Sequence, residues 1–469
     1  MGFYEAIVKA NDTVNSLVWG PPMLILIVGT GIFLTIMLKF MQVSKIKNWW
    51  KATFGFVFSR KIREKSADSN ITPFQAVSTA LASTVGTGNI VGVATAIVRG
   101  GPGAVFWMWV SAFFGMVTKY AEVVLAVKYR EIDANGTHHG GPMYYIEKGL
   151  KMKWLAVIFA IFATFATFGI GNLTQANSIA DSMNTSFKIP LILTGIIIAL
   201  LTGLTILGGI KRIAQVTEKM VPFMAVFYVI GSVIIVVANI SNLPAAFSMI
   251  FAGAFNTRAL EGGIMGYVIM KAMRFGVARG VFSNEAGMGS APIAHAASSE
   301  KDPVKQGLWG IFEVFVDTII ICSLTGLVIL TSGVVSFAAN TGITGFIGGP
   351  FSGADLTMAA FSATFGPAGG IFVTIGILLF ALSTILGWSY YGQQSLGYLT
   401  KNNKTWDWIY KAIFTALTIV GAIGGLTLIW DIADTLNGLM AIPNLIALII
   451  LSGVTFNLTK KYFKDGSSL

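Results

Sequence analysis

Apolar runs long enough to cross a hydrocarbon layer recur along this chain, and no other feature restricts its fold so strongly. A lipid-spanning helix needs about 20 consecutive apolar residues, and that window predicts about eleven spans. They are Pro22 to Met41, Phe74 to Val98, Ala104 to Val127, Trp154 to Gln175, Ile189 to Leu207, Val221 to Ile240, an interrupted one from Leu260 to about Ala296, Leu308 to Thr331, Gly370 to Leu396, Ile409 to Leu428, and Leu436 to Phe456. With 54% apolar and 11% charged residues, the composition excludes an ordinary soluble protein. Backbone groups in lipid must be satisfied internally, so the expected class is an all-α polytopic membrane protein.

The net charge of +11 reads as orientation information rather than as a nucleic-acid footprint. Lys39, Lys45, Lys47, Lys51, Arg60, Lys61, Arg63 and Lys65 follow the first span. Later clusters at Lys128/Arg130/Lys148/Lys151/Lys153, Lys211/Arg212/Lys219, Lys301/Lys305, Lys401/Lys404 and Lys460/Lys461/Lys464 fall in every second connection. The connections between them hold little beyond Arg99, Lys188 and Arg258. The alternation predicts an outside amino terminus, a cytoplasmic carboxyl terminus and a multi-pass protein of the cell membrane. The first apolar run is followed by basic residues and reads as a retained span rather than a cleaved signal. The single Cys322 lies in a span and reads as a packing residue.

Within the second span, Ala82-Ser83-Thr84-Val85-Gly86-Thr87-Gly88-Asn89-Ile90-Val91-Gly92 sets glycines and polar side chains in the middle of an apolar segment. Glycine costs about 1 kcal/mol relative to alanine inside a helix, and freed backbone at membrane depth is tolerated only where it lines a cavity or a site. The segment therefore predicts a broken helix. Five spans beginning there precede five more, beginning with the interrupted span, and an odd number inverts the second set relative to the first. The expected organisation is an extra amino-terminal helix and basic loop over 1–70, a first five-helix repeat over 71–240, and a second, inverted repeat over 241–469. In the second interrupted span both Arg274 to Gly280 and Ser283 to Gly289 are break candidates, and the region from Phe275 to Gly280 is favoured for its central position. The longer connections Ser241 to Ala259 and Ser332 to Gly369 are expected to cap an external vestibule.

Gly100-Gly101-Pro102-Gly103-Ala104-Val105-Phe106-Trp107-Met108-Trp109-Val110-Ser111-Ala112-Phe113-Phe114-Gly115 resembles the signature of the alanine or glycine:cation symporters. Gly140-Gly141-Pro142-Met143-Tyr144-Tyr145-Ile146, Ser283-Asn284-Glu285-Ala286-Gly287 and Phe315-Val316-Asp317-Thr318 with Cys322 extend the resemblance over nearly the whole chain. It implies the fold named after the bacterial leucine transporter, five plus five helices in inverted repeat. It also implies sodium-coupled symport of alanine or glycine, with no cofactor beyond the co-transported ion and the bilayer as surroundings. By similarity to the shared sodium site of that fold, the carbonyls of Ala82, Val85 and Phe380 and the hydroxyls of Ser383 and Thr384 are the expected sodium ligands, a hard cation favouring oxygens.

An amino acid needs donors for its carboxylate and acceptors for its ammonium, and a broken helix supplies both. Amides at Thr87, Gly88 and Asn89 open the second half-helix, while carbonyls at Ser83 and Thr84 close the first. Thr384 and Trp388, one turn later, share a face, and Phe168, Asn172 and Gln175 are expected to form another wall. Phe275 and Gly276 complete the expected solute site. Trp107 and Trp109 read as an interface belt and packing seam. Asp317, one turn after Glu313, serves either as a proton or second cation site or as a partner of Lys271, Arg274 or Arg279. The alternative function is a proton-coupled amino-acid symporter using Asp317. A membrane hydrolase using His138 and Glu147 is the rival from another class. The chain shows no Walker loop, His138 and His139 lack metal-ligand spacing, and no enzymatic step is required.

Overall fold

The computed structural model describes residues 3–57, 70–255, 264–338, 342–346, 353–424 and 427–464. Within them, eight helices are long and apolar enough to cross a membrane, and the bent pair Pro73–Thr84 and Gly88–Gly100 is a ninth candidate. Leu191–Ile206 is a shorter apolar helix, and Ile264–Asn284 with Pro292–Ala296 occupies the second interrupted stretch. Leu260, the expected start of that stretch, lies outside the described residues, as do Arg258, Arg60, Lys61, Arg63 and Lys65.

Local chemistry accounts for where the core helices begin. Thr72 and Gln75 form a reciprocal capping box ahead of Pro73, which needs no amide donor at the first helical position. Asp302 accepts from the amides of Val304 and Lys305 at 2.8 and 3.2 Å before Pro303–Val314, and Asn403 caps Lys404–Ile423. Along Leu191–Ile206 the exposed residues Ile192, Ile196, Leu200 and Leu204 form a four-residue repeat, an apolar stripe suited to lipid.

Helices at matching places in the two sets of five lie side by side. Gly103–Lys128 packs on Pro303–Val314, Lys153–Phe168 on Pro367–Thr400, and Leu191–Ile206 on Lys404–Ile423. Gly103–Lys128 also packs on Ile264–Asn284, while Pro73–Thr84 rests between Gly209–Ala238 and Pro367–Thr400. Met270 and Met273 of Ile264–Asn284 are exposed, but the breaks themselves are enclosed, with Val85, Glu285, Ala286 and Met288 buried, as freed backbone at membrane depth requires.

The connections carry structure of their own. Leu243–Phe255 packs Phe247, Phe251 and Phe255 against Phe106, Trp107 and Trp109, so the tryptophan cluster is a packing seam. The later connection holds an antiparallel hairpin, Val335–Ala338 with Gly342–Phe346, and the helix Ala354–Phe365. Thr357 of that helix donates to the Ile90 carbonyl at 3.2 Å, which ties the connection to the first broken helix.

Candidate functional site

The first break falls at Val85–Gly86, inside the expected segment, and a single turn of wide helix over Gly88–Gly92 follows it. Gly86 permits the close approach that builds the site, since a Cβ there would collide with Thr384 Oγ1. The two amides freed at the break are met by side chains. Asn89 Oδ1 accepts from Gly86 N at 2.9 Å, and Gln175 Oε1 faces Thr87 N at 3.4 Å.

The oxygens proposed for a cation converge around Thr384. Its Oγ1 donates to the Ala82 carbonyl at 3.1 Å and to the Phe380 carbonyl at 3.0 Å, and Ser383 Oγ donates to the Phe380 carbonyl at 2.8 Å. All four residues are buried. Val85 sits at the break itself: its amide still donates to the Leu81 carbonyl at 2.8 Å, while its ψ of 87° departs from the helical value. Ser83 and Thr84 direct their hydroxyls back to the Thr79 and Ala80 carbonyls at 3.0 and 3.2 Å. Asn89 is not an open donor at its backbone, because its amide bonds the Gly86 carbonyl at 3.2 Å.

The wall expected from Phe168, Asn172 and Gln175 divides. A turn of wide helix at Gly169–Leu173 interrupts the helix between them and rotates the register, so ordinary helical spacing no longer holds. Phe168 packs on Tyr410 and Phe414, with ring centroids 5.3 and 6.2 Å away, and Asn172 Nδ2 donates to the Phe414 carbonyl at 2.6 Å. Both point at Lys404–Ile423, and only Gln175 reaches the broken helix. Gly171, in the same turn, lies against Trp388, and a Cβ there would overlap the indole. Overpacking costs about 1 to 3 kcal/mol, so Gly171→Ala is expected to weaken solute binding about fivefold or more in equilibrium binding. Phe168→Leu, remote from the break, is expected to change it less than twofold.

The second break is not at Phe275 to Gly280. Helix Ile264–Asn284 runs through that stretch, because its glycines serve close packing: a Cβ on Gly276 would strike the Ala104 carbonyl, and one on Gly280 would strike Ser111 Oγ. Phe275 instead lines a cavity of about 160 Å³ with Asn15, Trp19, Arg99, Arg274, Arg279 and Asp434. The helix ends at Glu285, whose φ is +55°, and Gly287 and Gly289 follow with φ of +89° and +82°. Repeated left-handed conformation is what an α-helix cannot continue through.

Between the two breaks lies Asp317, fully buried. Its Oδ1 accepts from Asn89 Nδ2 at 2.7 Å and Ser283 Oγ at 3.1 Å, and its Oδ2 from Thr318 Oγ1 at 2.7 Å. These donors are neutral, and the arginines weighed as structural partners are not among them. Arg274 is nine residues before Ser283, about 13 Å along a helix, and it lines the cavity together with Arg279, while Lys271 is exposed. Cys322 Sγ sits in the same cluster, 3.3 Å from Asn89 Nδ2.

The residues of the rival hydrolase are held apart by different partners. His138 Nδ1 is 2.8 Å from the Ser298 carbonyl, whereas Glu147 accepts from the Tyr398 hydroxyl at 2.5 Å and pairs with Lys153 at 3.3 Å. The Tyr398 hydroxyl and the Lys153 charge hold the Glu147 carboxyl below the usual carboxylate range. His139 bridges Gln394 and Asp133, and among the described residues no three His, Cys, Asp or Glu side chains are grouped to hold a metal ion. Glu285 and Glu122 were not anticipated as polar anchors of the second break. The Ser283 to Gly289 motif contained the signal for the first, a carboxylate beside two glycines.

Comparison with known proteins bears directly on this arrangement. A sequence profile for the sodium:alanine symporter family matches residues 4–468. The chain is 50% identical over 461 residues to the sodium/alanine symporter AgcS of Methanococcus maripaludis, covering 97% of each chain. It is 36% identical over 441 residues to the amino-acid carrier protein AlsT of Bacillus subtilis, covering 94% of this chain and 89% of that one. Among solved structures, a Na+-coupled sialic acid symporter in a substrate-bound outward-open state superimposes with a TM-score of 0.54 at 13% identity, covering 94% of this chain and 86% of that one. The fold is therefore the leucine-transporter type, predominantly helical with two broken helices facing each other.

Proposed function

Because the chain belongs to the sodium:alanine symporter family, we propose that it carries alanine or glycine into the cell together with sodium by alternating access. Cation-coupled amino-acid symport is the activity of that family; the solute, the site and the direction are the present reading. The observation that carries it is the Thr384 hydroxyl, which touches one carbonyl on the broken helix and another on Pro367–Thr400. A sodium ion between these elements would take the carbonyls of Ala82, Val85 and Phe380 and the hydroxyls of Ser383 and Thr384, all neutral oxygens suited to a hard cation.

The solute carboxylate is assigned to the amides of Thr87 and Gly88 at the start of the second half-helix, where the dipole favours an anion. Gln175 Oε1, now 3.4 Å from Thr87 N, would turn aside to admit it. The ammonium is assigned to the carbonyls of Ser83 and Thr84. Trp388, fixed against Gly171, closes the space a larger side chain would need. Sodium thus ties the first break to the second set of helices, and the repeats over 71–240 and 241–469 rock against each other once both ligands are seated. The charge alternation orients the protein with its amino terminus outside and its carboxyl terminus in the cytoplasm of a plasma membrane. At 100 mV one positive charge supplies about 2.3 kcal/mol, and a tenfold sodium gradient adds about 1.4 kcal/mol. Together these sustain a solute gradient of several hundredfold.

A second reading couples transport to a proton on Asp317, favoured by the complete burial of that carboxylate among neutral donors. Proteoliposomes with an imposed sodium gradient at equal pH are expected to accumulate labelled alanine or glycine. Accumulation driven by a proton gradient without sodium, and lost in Asp317→Asn, would favour the second reading. Accumulation of neither solute under either gradient would reject both.

A further inference from the structure

Next to the solute pocket lies a group of ionisable side chains withdrawn from solvent. Lys119 and Glu122 come from Gly103–Lys128, Glu285 from the connector after Ile264–Asn284, His295 from Pro292–Ala296 and Glu313 from Pro303–Val314, and none is more than 3% exposed. Lys119 Nζ pairs with Glu313 Oε1 at 3.3 Å, and His295 Nε2 lies 2.9 Å from Glu313 Oε2. The other ring nitrogen, Nδ1, contacts the Gln306 side-chain amide at 2.9 Å, and that amide in turn contacts Ser298 Oγ at 3.0 Å.

Three buried carboxylates share one lysine and one histidine, and both of these basic groups are committed to Glu313. Among the described residues, Glu122 and Glu285 have no ion-pair partner within 4.0 Å. A carboxylate buried without a counter-charge takes a proton rather than remain ionised, and the hydrogen bonds distinguish the two candidates. Glu122 Oε1 accepts from Gly289 N at 3.0 Å and Asn444 Nδ2 at 2.6 Å, while its buried Oε2 has no partner, so a proton there would find no acceptor. Glu285 is built differently. Its Oε1 receives the Trp388 indole N–H at 2.9 Å, and its Oε2 lies 2.5 Å from Ser290 Oγ. A hydroxyl both donates and accepts, so Ser290 serves the carboxylate as donor and the carboxylic acid as acceptor. The other titratable groups facing this position are Lys119, Glu122 and Glu313, with Tyr391 from Pro367–Thr400 and His295 behind Glu313.

We propose that Glu285 is a proton-binding site linked to the solute pocket through the indole of Trp388. The inference rests on the reading of this protein as a sodium-driven amino-acid symporter, and it assigns a further ligand, H+, to a carboxyl outside the solute and sodium sites. Only an O–H bond forms or breaks, with the proton exchanged to water. Loss of the proton leaves an uncompensated charge at the start of the connector, where φ is +55°. The connector and Trp388 then rearrange together. Glu285 acts as a positioning residue for the wall of the pocket, and solute affinity falls as pH rises through its titration.

The test measures labelled alanine binding to the purified, full-length protein at saturating sodium between about pH 5.5 and 8.5, with proton uptake or release on binding followed in weak buffer. The wild type is expected to lose affinity about tenfold toward the alkaline end and to take up a proton when alanine binds there. Glu285→Gln, which keeps both hydrogen bonds, should hold the acid-side affinity within about twofold across the range and exchange no proton. A wild type whose alanine affinity is independent of pH overturns the proposal. So does a pH dependence retained in Glu285→Gln but lost in Asp317→Asn. If the variant fails to fold, the wild-type proton exchange decides alone, since its absence overturns the proposal. Sodium-dependent binding of alanine or glycine by the wild type at one fixed pH tests the underlying reading separately.

Discussion

Thr384→Val should raise the sodium concentration needed for half-maximal alanine uptake by roughly 10- to 100-fold while leaving the protein folded. Valine preserves the shape of threonine and removes only the hydroxyl that now reaches the Ala82 carbonyl at 3.1 Å and the Phe380 carbonyl at 3.0 Å. A hydrogen-bonding contact to a charged group contributes about 1.5 to 3 kcal/mol, and about 1.4 kcal/mol is a factor of ten. The Ala82 carbonyl would also lose this donor when sodium is absent, whereas the Phe380 carbonyl keeps Ser383 Oγ at 2.8 Å. Sodium titrations of uptake in proteoliposomes check the result. An unchanged sodium dependence would remove Thr384 from the cation site and leave the convergence of these oxygens as packing.

Lys119→Met is the substitution expected to cost most stability. It removes the cation from a pair in which both side chains are fully buried and leaves Glu313 with only the His295 N–H. Breaking a buried pair by deleting one partner costs about 3 to 5 kcal/mol, whereas replacing both partners is often nearly neutral. Thermal unfolding of the purified protein should therefore show a large drop for Lys119→Met and a partial recovery for Lys119→Met/Glu313→Gln. A double variant as unstable as the single one would mean that Lys119 acts through contacts other than its charge.

Much of this architecture is legible in the residues themselves. Gly86 and Gly88, set among threonines and an asparagine in an apolar run, announce the first break, and the structure bends there by 48°. The second break is harder to read because glycine has two uses in membrane helices. Gly276 and Gly280 let Ile264–Asn284 approach Gly103–Lys128 closely and leave the helix intact, while the positive φ of Glu285 ends it and Gly287 and Gly289 continue the left-handed turn after it. Spacing also misleads at Phe168 and Asn172, since one turn of wide helix at Gly169–Leu173 displaces both toward Lys404–Ile423. The hydroxyls of Ser383 and Thr384 follow from a resemblance rather than from their pattern, as most hydroxyls in such helices bond their own preceding turn. Ser383 and Thr384 do that too, and it is the additional reach of Thr384 to Ala82 that only three dimensions reveal.

The buried charges were visible singly and not as a set. Asp317 and Glu313 stand out in an apolar span, yet their partners lie far away in the sequence: Asn89 and Ser283 for the first, Lys119 and His295 for the second. Pairing across the two sets of helices places Gly103–Lys128 beside Pro303–Val314 and so brings Lys119 to Glu313. It also sets Glu122 under Gly289 and Glu285 against Trp388, which connects the second break to the proposed solute pocket.

Symport requires that each ligand drive the other, and this reciprocity offers the most direct test. Proteoliposomes holding equal sodium on both sides, at equal pH and with the membrane potential clamped at zero, would be given an inward gradient of alanine or glycine alone. Coupling through a shared first break predicts transient uptake of labelled sodium against its own balanced concentration, abolished in the Ser383→Ala/Thr384→Ala variant. Alanine or glycine entry with no movement of labelled sodium would contradict sodium-coupled symport and the cation site built on Ala82, Phe380 and Thr384.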